Sequence, residues 1–471
     1  DPQQPQPYSA CPPPHVKCFT EYLRGAGYYC TNNAKTDYQF TAPATAWDEL
    51  GSAAHWRHRP VDAPFFAVFN PTVTHESGMW EERHQTQPNT DIDAVELPPY
   101  LPNTEPCRRA LARHYDNLET ADKRVGEVLD QLEADGLADN TIVVLWSDHG
   151  EGLPRAKRWP YDAGIRIPLI VRWPGQVPPG SVDERLVSLV DLAPTVLTVT
   201  GSLCPQHLQG QPFLGVDAEP EPEPRQYIYA SRDRHDEAYD RVRAVRDRRY
   251  KYLRHYHPEQ PYLPWIPYRN QHPVMQELWD LYRTGRLTSD QRLLFETPRP
   301  AEELYDTEAD PYELVNLAAD AQYLPIVQRL RRALQDWQVD VGDLGDVAES
   351  EMVRRWWPDG VQPVTAAVAF VPLAVEAPGL EQMSGGSFTA PCRLQLHCPT
   401  QGASLTYRID PDPAADSAHA AELSGCWRLY TEPIDLPAGT REVSARAVRI
   451  GFADSEQTQA RFTVSSPGQG P

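Results

Sequence analysis

Hydrophobic positions in the first half of the chain follow one helical pattern and then two strand patterns. The helical pattern covers Cys107–Leu137, where leucine or valine recurs every seven residues from Leu111 to Leu132. Two short continuous apolar runs follow, Thr141–Trp146 and Ile167–Arg172, and both predict fully buried strands. A helix followed by two buried strands indicates an α/β fold, in which a sheet is covered by helices.

Two later changes of pattern divide the rest of the chain. The charged, proline-spaced run Asp217–Arg225 ends the α/β part, and the alternating hairpin pattern of Arg241–Leu253 with the helical Tyr323–Val339 predicts a small α+β region. From Arg393 onward, short strands separated by turns predict an all-β domain. The expected limits are an α/β domain over 1–222, an α+β subdomain over 223–345, a linker over 346–385 and a β-sandwich over 386–466.

The net charge of −22 narrows the classes of partner. Nucleic acids are held by basic surfaces, so no nucleic-acid partner is expected, and an anionic substrate would need a local cationic cleft. Arg232–Arg254 is rich in arginine and could guide such a substrate, but its interleaved acids also fit a hairpin of internal ion pairs. No apolar run reaches the length of a transmembrane helix, so no membrane span is expected.

The residues after the first predicted strand could carry chemistry. Asp148 and His149 stand side by side there, both types of side chain bind metals, and Gly150 allows a tight turn around an ion. The alternative is an ordinary strand-to-loop turn capped by Asp148. Lys157, further along the loop, is a point charge suited to a tetrahedral oxyanion, although most loop lysines are simply solvated.

Several of these segments resemble the sulfatase family. Residues 139–175 look like the second half of the sulfatase catalytic domain. Leu23–Phe40 resembles the stretch that ends in a sulfate-binding lysine, here Lys35, and Phe65–Ser77 resembles the strand and loop that present an active-site histidine, here His75. The motifs occur in the family's order, and the resemblance covers roughly residues 15–340.

The resemblance implies a fold and a set of roles. The fold would be alkaline-phosphatase-like, a mixed sheet with helices on both faces followed by a small α+β C-terminal subdomain. Asp148 and His149 would bind a divalent metal, usually Ca²⁺ in this family, although a histidine is an unusual ligand for calcium. Lys35, His75 and Lys157 would hold the sulfate oxygens or protonate the leaving alkoxide.

One family feature is missing from the sequence. Sulfatases open with a pair of metal-binding aspartates and then Cys-x-Pro-x-Arg or Ser-x-Pro-x-Arg, whose cysteine or serine becomes the formylglycine nucleophile. Cys11 begins a Cys-x-Pro, but His15 stands where arginine belongs, so Cys11 is not expected to be the nucleophile. We expect formylglycine upstream of Asp1, and no activity from the chain without it.

The resulting hypothesis is a sulfuric ester hydrolase that removes sulfate from a sulfated carbohydrate. The alternatives are a phosphate or phosphonate ester hydrolase of the same superfamily and a non-catalytic glycan-binding relative. The family places the protein in the periplasm or outside the cell. Phe388–Val464 resembles the small β-sandwich found at the C-terminus of chitobiases, which is where glycan binding would lie in the last alternative.

Overall fold

The computed structural model describes residues 8–80, 87–215, 224–379, 381, 384–411 and 427–465. The chain forms two compact units. The first unit comprises Asp1–Asn70, Leu189–Glu219 and Val347–Pro471, and the second comprises Pro71–Ser188 and Pro220–Asp346. Neither unit is therefore a single stretch of sequence. The predicted limit between residues 222 and 223 involves residues outside the described ranges, and the other domain limits stay predictions.

The described residues form strands and helices along the whole chain. The strands are β1 (Tyr29–Asn33), β2 (Glu49–Leu50), β3 (Phe65–Phe69), β4 (Val143–Trp146), β5 (Leu169–Arg172), β6 (Ile228–Arg232), β7 (Val242–Arg246), β8 (Tyr250–His255), β9 (Glu302–Asp306), β10 (Ala369–Ala374), β11 (Ala377–Pro378), β12 (Gly385–Thr389), β13 (Cys392–His397), β14 (Ser404–Pro411), β15 (Arg428–Leu429), β16 (Ile434–Leu436), β17 (Gly439–Val448) and β18 (Thr458–Ser465). The α-helices are α1 (Phe19–Gly25), α2 (Glu105–Ala134), α3 (Asp162–Ile165), α4 (Leu192–Val199), α5 (Pro267–Asn270), α6 (Pro273–Arg283), α7 (Ser289–Arg292), α8 (Leu324–Asp340) and α9 (Glu349–Trp356). None of these helices is long and apolar enough to cross a membrane.

The first unit combines a small parallel sheet with a β-sandwich. The parallel sheet has the order β2-β1-β3, and Leu23 of α1, Cys30 of β1 and Leu197 of α4 share a core beside it. The sandwich consists of two sheets, ordered β11-β10-β13-β16 and β12-β18-β17-β14-β15. Its core includes Phe370 and Phe462, whose rings meet edge to face. The all-β region predicted at the end of the chain is therefore present.

The sandwich begins earlier than the sequence indicated. The segment 346–385, predicted as a linker, contains α9, β10 and β11. β10 pairs antiparallel with β13, and Phe370 within it is fully buried. The run around Pro372 was too short and mixed in its pattern to predict a strand, but pairing with β13 gives its apolar side chains a core to enter.

The second unit contains α2 and the strand pair β4–β5. Cys107, Leu111 and neighbouring residues of α2 enter a core shared with α6. The prediction that β4 and β5 are fully buried is wrong, because Leu145, Trp146 and Ile170 are 39%, 36% and 59% exposed. The two strands pair only with each other among the described residues, so part of their apolar surface has no cover. A continuous apolar run shows that a strand forms but not how many faces become buried.

The second unit also contains a four-stranded antiparallel sheet in the order β6-β7-β8-β9, with α8 packed against it. The hairpin predicted over Arg241–Leu253 is β7 and β8. Its arginines pair with acids: Arg243 with Asp233 and Asp343, Arg246 with Asp162, and Arg249 with Asp306. These pairs support the reading of this hairpin as a structural, charge-paired element. With both helical and mixed-strand regions present, the predicted α/β class is confirmed.

Candidate active site

The predicted site residues fall into both units. His75, Asp148, His149 and Lys157 belong to the second unit, while Lys35 belongs to the first. His75 lies between two short 3-10 turns, Thr72–Thr74 and Glu76–Met79. Asp148 and His149 follow β4 directly, and Lys157 lies in the loop between β4 and α3.

The structure brings His75 and Lys157 together. Nζ of Lys157 lies 3.4 Å from Nε2 of His75, although the two residues are 82 positions apart in sequence. On its other side the His75 ring accepts a hydrogen bond at Nδ1 from the backbone N–H of Ser77, at 3.4 Å. The Ser77 hydroxyl oxygen lies closer to the same nitrogen, at 2.9 Å, so Ser77 orients the ring with Nε2 toward Lys157.

The two nitrogens stand where one anionic oxygen could be bound. The ammonium of Lys157 always donates, and Nε2 of His75 donates when it carries the ring proton. In that state an anionic oxygen beside them would accept hydrogen bonds from both groups. The pair is therefore suited to an oxyanion.

Glu76 holds Lys157 in this position. Its carboxylate is 1% exposed, lies 3.0 Å from Nζ of Lys157 and accepts two hydrogen bonds from Arg158, at 2.9 and 2.7 Å. Burial would raise the pKa of Glu76, but the hydrogen bonds and charge of Arg158, together with Lys157, lower it to about 2. Glu76 thus stays ionised, and two cations share one buried anion.

Arg158 adopts a backbone conformation that most residues avoid. Its φ of 78° lies in the left-handed region, which costs a residue with a Cβ about 1–3 kcal/mol. The side chain is nearly buried and makes a two-pronged ion pair with Glu76. That bidentate pair offsets the backbone strain, and it fixes the turn that carries Lys157.

Further positive charge lies close to this pair. Arg232 stacks on Trp159, with its guanidinium carbon 4.0 Å from the ring centroid. Burial, followed by the charges of Arg158 and Arg232, lowers the pKa of Arg269 to about 9. Although the protein as a whole is acidic, cationic side chains lie close together around Lys157. They provide the local cationic environment that an anionic substrate requires.

Two glycines let the site loops approach one another. A Cβ on Gly152 would lie 2.6 Å from Cβ of Glu76, and a Cβ on Gly150 would lie 1.9 Å from the carbonyl oxygen of Ala163. Both distances are shorter than any real carbon contact. The loop after β4 therefore packs directly against Glu76 and against the start of α3, and any larger side chain would separate them.

A buried ionic network fixes the far end of the same loop. Asp162 pairs with Lys251 at 2.5 Å and with Arg246 at 3.1 Å. Lys251 also pairs with Glu313 at 2.8 Å, and the Glu313 carboxylate accepts the backbone N–H of Asp162. Arg155 donates to the carbonyl of Glu313. The loop that carries Lys157 is thus tied to the antiparallel sheet at several points.

Asp148 and His149 are the candidate metal ligands. Oδ2 of Asp148 lies 3.6 Å from Nε2 of His149, while Nδ1 of His149 lies 2.7 Å from the Gly150 carbonyl oxygen. The carbonyl fixes the Nδ1 proton, so Nε2 is the nitrogen with a lone pair for a metal. Within the described residues no group of three or more histidine, cysteine or acidic side chains could hold a metal. The two residues fit a metal as two of its ligands, and they do not select calcium.

Lys35 lies just beyond β1 in the first unit. Its Nζ pairs with Asp37 at 3.0 Å, and its backbone carbonyl accepts a hydrogen bond from Asn32. Asp37 has a φ of 40°, which turns the chain sharply after the strand. The lysine is therefore held on a tight turn at the carboxyl end of a parallel strand, the position at which side chains of α/β folds meet ligands.

Cys11 has an ordinary structural environment. Its Sγ would lie 2.5 Å from a Cβ on Gly451, so the thiol packs closely on the backbone of the β-sandwich in the same unit. Burial raises the pKa of the Cys11 thiol, and the charge of Arg449 offsets this only in part. The packing supports the expectation that Cys11 is not a nucleophile.

Sequence reasoning missed the two residues that hold Lys157 in place. Glu76 follows His75, and Arg158 follows Lys157, so both were adjacent to predicted site residues. Their pairing joins residues 82 apart, which no local pattern reveals. The available signal lay in the next residue along the chain: an acid, Glu76, follows His75, and a base, Arg158, follows Lys157.

Comparison with known proteins identifies relatives of this chain. The sulfatase family pattern matches residues 19–202, and the C-terminal pattern of N-sulphoglucosamine sulphohydrolase matches residues 150–289. An ulvan-active sulfatase of Formosa agariphila is 39% identical over 488 aligned residues, which cover 96% of this chain and 77% of that protein. Human N-sulphoglucosamine sulphohydrolase is 30% identical over 289 residues, 57% of this chain and 55% of its own length.

A solved structure shows the same fold at lower identity. It is a 2-O GAG sulfatase with a TM-score of 0.52 and 20% identity, covering 73% of this chain and 78% of that one. The fold and the relatives together define a hydrolase of sulfuric esters. The chain belongs to the sulfatase family. Its members work with a formylglycine residue and a divalent metal.

Replacement of Glu76 by glutamine tests the ion-pair arrangement. The Glu76→Gln variant should lose about 3 kcal/mol of unfolding free energy near neutral pH, because Lys157 and Arg158 lose their shared anion. The folded-state pKa of Glu76 is depressed from 4.5 to about 2, so its contribution is present above pH 4.5 and declines as pH falls toward 2. Urea unfolding from about pH 7 to about pH 2 should show the difference between the two proteins shrinking below pH 4.5 and being smallest at the acidic end.

Glu133→Gln, on the exposed end of α2, is the matched control. It removes the same charge from a solvated position and should leave unfolding within about 0.5 kcal/mol of the unchanged protein. A Glu76→Gln variant as stable as this control at every pH would show that the ion pairs do not organise the loop.

Proposed function

We propose that this sulfatase removes sulfate from a sulfated carbohydrate, and that His75 and Lys157 bind the sulfate group. The observation that carries the proposal is the 3.4 Å distance between Nε2 of His75 and Nζ of Lys157, which is short enough for both nitrogens to bind one sulfate group. A sulfate ester offers anionic oxygens that accept from both. Lys35, which lies just beyond a parallel strand, is proposed as a sulfate-binding group because the family resemblance implies that role.

His75 is also proposed to supply a proton to the leaving oxygen. Cleavage of the S–O bond leaves an alkoxide, which is a strong base and needs a proton as it departs. Nε2 of His75, the nitrogen that would carry this proton, faces Lys157, and Ser77 holds the ring from the opposite side. Lys157 keeps its charge next to Glu76 and stabilises negative charge that builds on the sulfate oxygens.

Asp148 and His149 are proposed to hold the family's divalent metal. When bound, the metal adds positive charge at the sulfate oxygens, and the formylglycine hydrate supplies the nucleophile. Ca²⁺ is the expected ion because it is the usual one in this family. The imidazole of His149 also suits transition metals.

The proposed substrate is a sulfated polysaccharide, with ulvan as the first to be tested. The relative that is similar over 96% of this chain is named an ulvan-active sulfatase. A polysaccharide cannot cross a membrane unaided, so we propose that the enzyme works in the periplasm or outside the cell.

Alanine substitutions test the roles of the two donors. In the formylglycine-bearing enzyme, Lys157→Ala and His75→Ala should each lower kcat for sulfate release from ulvan by roughly 100-fold or more, because each removes a donor to the transition state. Sulfate release can be followed by ion chromatography. Lys123→Ala on the exposed face of α2 is the control and should retain full activity.

Two results would contradict this proposal. One is a variant with both Lys157→Ala and His75→Ala that releases sulfate at the rate of the unsubstituted enzyme. The other is an enzyme that cleaves phosphate esters well and no sulfated carbohydrate at all, which would favour a phosphate ester hydrolase.

Metal titration tests Asp148 independently of activity. Calorimetry of the chain with Ca²⁺, Mg²⁺ and Zn²⁺ should show divalent binding that weakens by roughly tenfold or more in Asp148→Asn, because a neutral amide replaces a charged oxygen ligand. Asp130→Asn, on the exposed surface of α2, should leave the affinity unchanged. Equal affinities for both variants would place the metal on other residues.

A further inference from the structure

The loop between β6 and β7 carries two residues that no motif identified, His235 and Asp236. His235 and Ala238 form an isolated β-bridge, with hydrogen bonds of 2.9 and 3.1 Å in the two directions. Asp236 sits at its tip with a φ of 49°, in the left-handed region. The loop is therefore a tight, hydrogen-bonded turn and not an open connection.

Ion pairs hold both ends of this loop. On the β6 side, Asp233 pairs with Arg243 at 3.1 Å. On the β7 side, Asp240 is fully buried between Arg232, at 3.4 Å, and Arg299. These ion pairs anchor both ends of the loop to side chains of the sheet and its surroundings and so restrict where the loop tip can lie.

The loop tip faces the cluster that holds Lys157. Oδ2 of Asp236 lies 3.9 Å from the Arg158 guanidinium and 3.6 Å from Nε2 of His235. Arg158 in turn pairs with Glu76, and Glu76 pairs with Lys157. A continuous series of charged side chains therefore joins the loop tip to the proposed sulfate position.

His235 is available to a ligand. Its side chain is 38% exposed, and Oδ2 of Asp236 lies 3.6 Å from its Nε2. Burial, then the charge of Arg158, and after them Lys157 and Arg232 lower the pKa of His235 to about 4, even though Asp236 opposes the shift. At neutral pH the ring is therefore uncharged, with one donor and one acceptor nitrogen.

Such a ring suits a sugar hydroxyl better than an anion. A hydroxyl both donates and accepts, so a neutral imidazole can meet it in either direction, whereas the sulfate itself is served by the cations nearby. A carbohydrate bound through its sulfate at Lys157 must place its ring beside that group. The exposed edge of the His235 ring lies at the far end of the series of charged side chains that begins at Lys157.

We propose that His235 hydrogen-bonds to a hydroxyl of the sugar that carries the sulfate, which makes the β6–β7 loop a determinant of substrate specificity. This inference rests on the proposed function. His235 contributes to binding of the carbohydrate and not to cleavage of the S–O bond. Its removal therefore acts on KM for carbohydrates and spares small sulfate esters without a sugar.

The test compares two substrates in the formylglycine-bearing enzyme. His235→Ala should raise KM for ulvan oligosaccharides roughly five- to tenfold, the value of one hydrogen bond, with kcat changed less than about twofold. KM and kcat for 4-nitrophenyl sulfate should not change. His235→Gln, which keeps a donor and an acceptor, should recover most of the affinity for the carbohydrate.

His58→Ala is the matched control. Its side chain is 51% exposed and its Nδ1 lies 2.9 Å from Glu49, so the substitution removes a comparable histidine–acid pair in the first unit, away from the β6–β7 loop. It should leave both substrates unaffected.

Unchanged KM values in His235→Ala, or equal losses on both substrates, would overturn the inference while leaving the proposed function intact. Absence of sulfate release from every sulfated carbohydrate by the unsubstituted enzyme would instead refute the proposed function, and this inference with it.

Discussion

The buried carboxylate of Glu76 is the interaction on which the candidate site depends. It neutralises part of the charge of Lys157 and Arg158, which could not otherwise lie side by side away from solvent. Because it follows His75 in sequence, it also fixes the distance between the histidine ring and the lysine ammonium. Asp236 also lies 3.9 Å from Arg158, but Arg232 and Arg269 add positive charge nearby, so an anionic substrate completes the balance.

Around this interaction the second unit builds successive supports. The turn at Arg158 is held in a strained conformation by its pair with Glu76, and the Asp162–Lys251 pair attaches the next part of the loop to the antiparallel sheet. The arginines of the β7–β8 hairpin are paired with acids, so the hairpin is structural. The cations near Lys157, by contrast, outnumber the acids that pair with them. This explains how a protein with a net charge of −22 can offer a cationic site to an anion.

Helices and strands that have a local sequence pattern could be predicted. Contacts between residues far apart in the sequence could not. The long helix, the strand pair and the hairpin follow from periodicity, and His75 and Lys157 follow from motifs in a family order. Exposure of β4 and β5 depends on how many strands flank them, which an apolar run does not encode. The roles of Glu76 and His235 arise only when separate loops meet, because an acid or a histidine in a polar loop has no local pattern that distinguishes it from a solvated side chain.

A crystal structure of the protein with inorganic sulfate would show whether His75 and Lys157 form one anion site. The sulfate oxygens should lie within hydrogen-bond distance of both Nε2 of His75 and Nζ of Lys157, with Glu76 still bound to Lys157 and Arg158. A sulfate bound elsewhere in the second unit, or a lysine turned away from the histidine with Glu76 unpaired from it, would rule out this site.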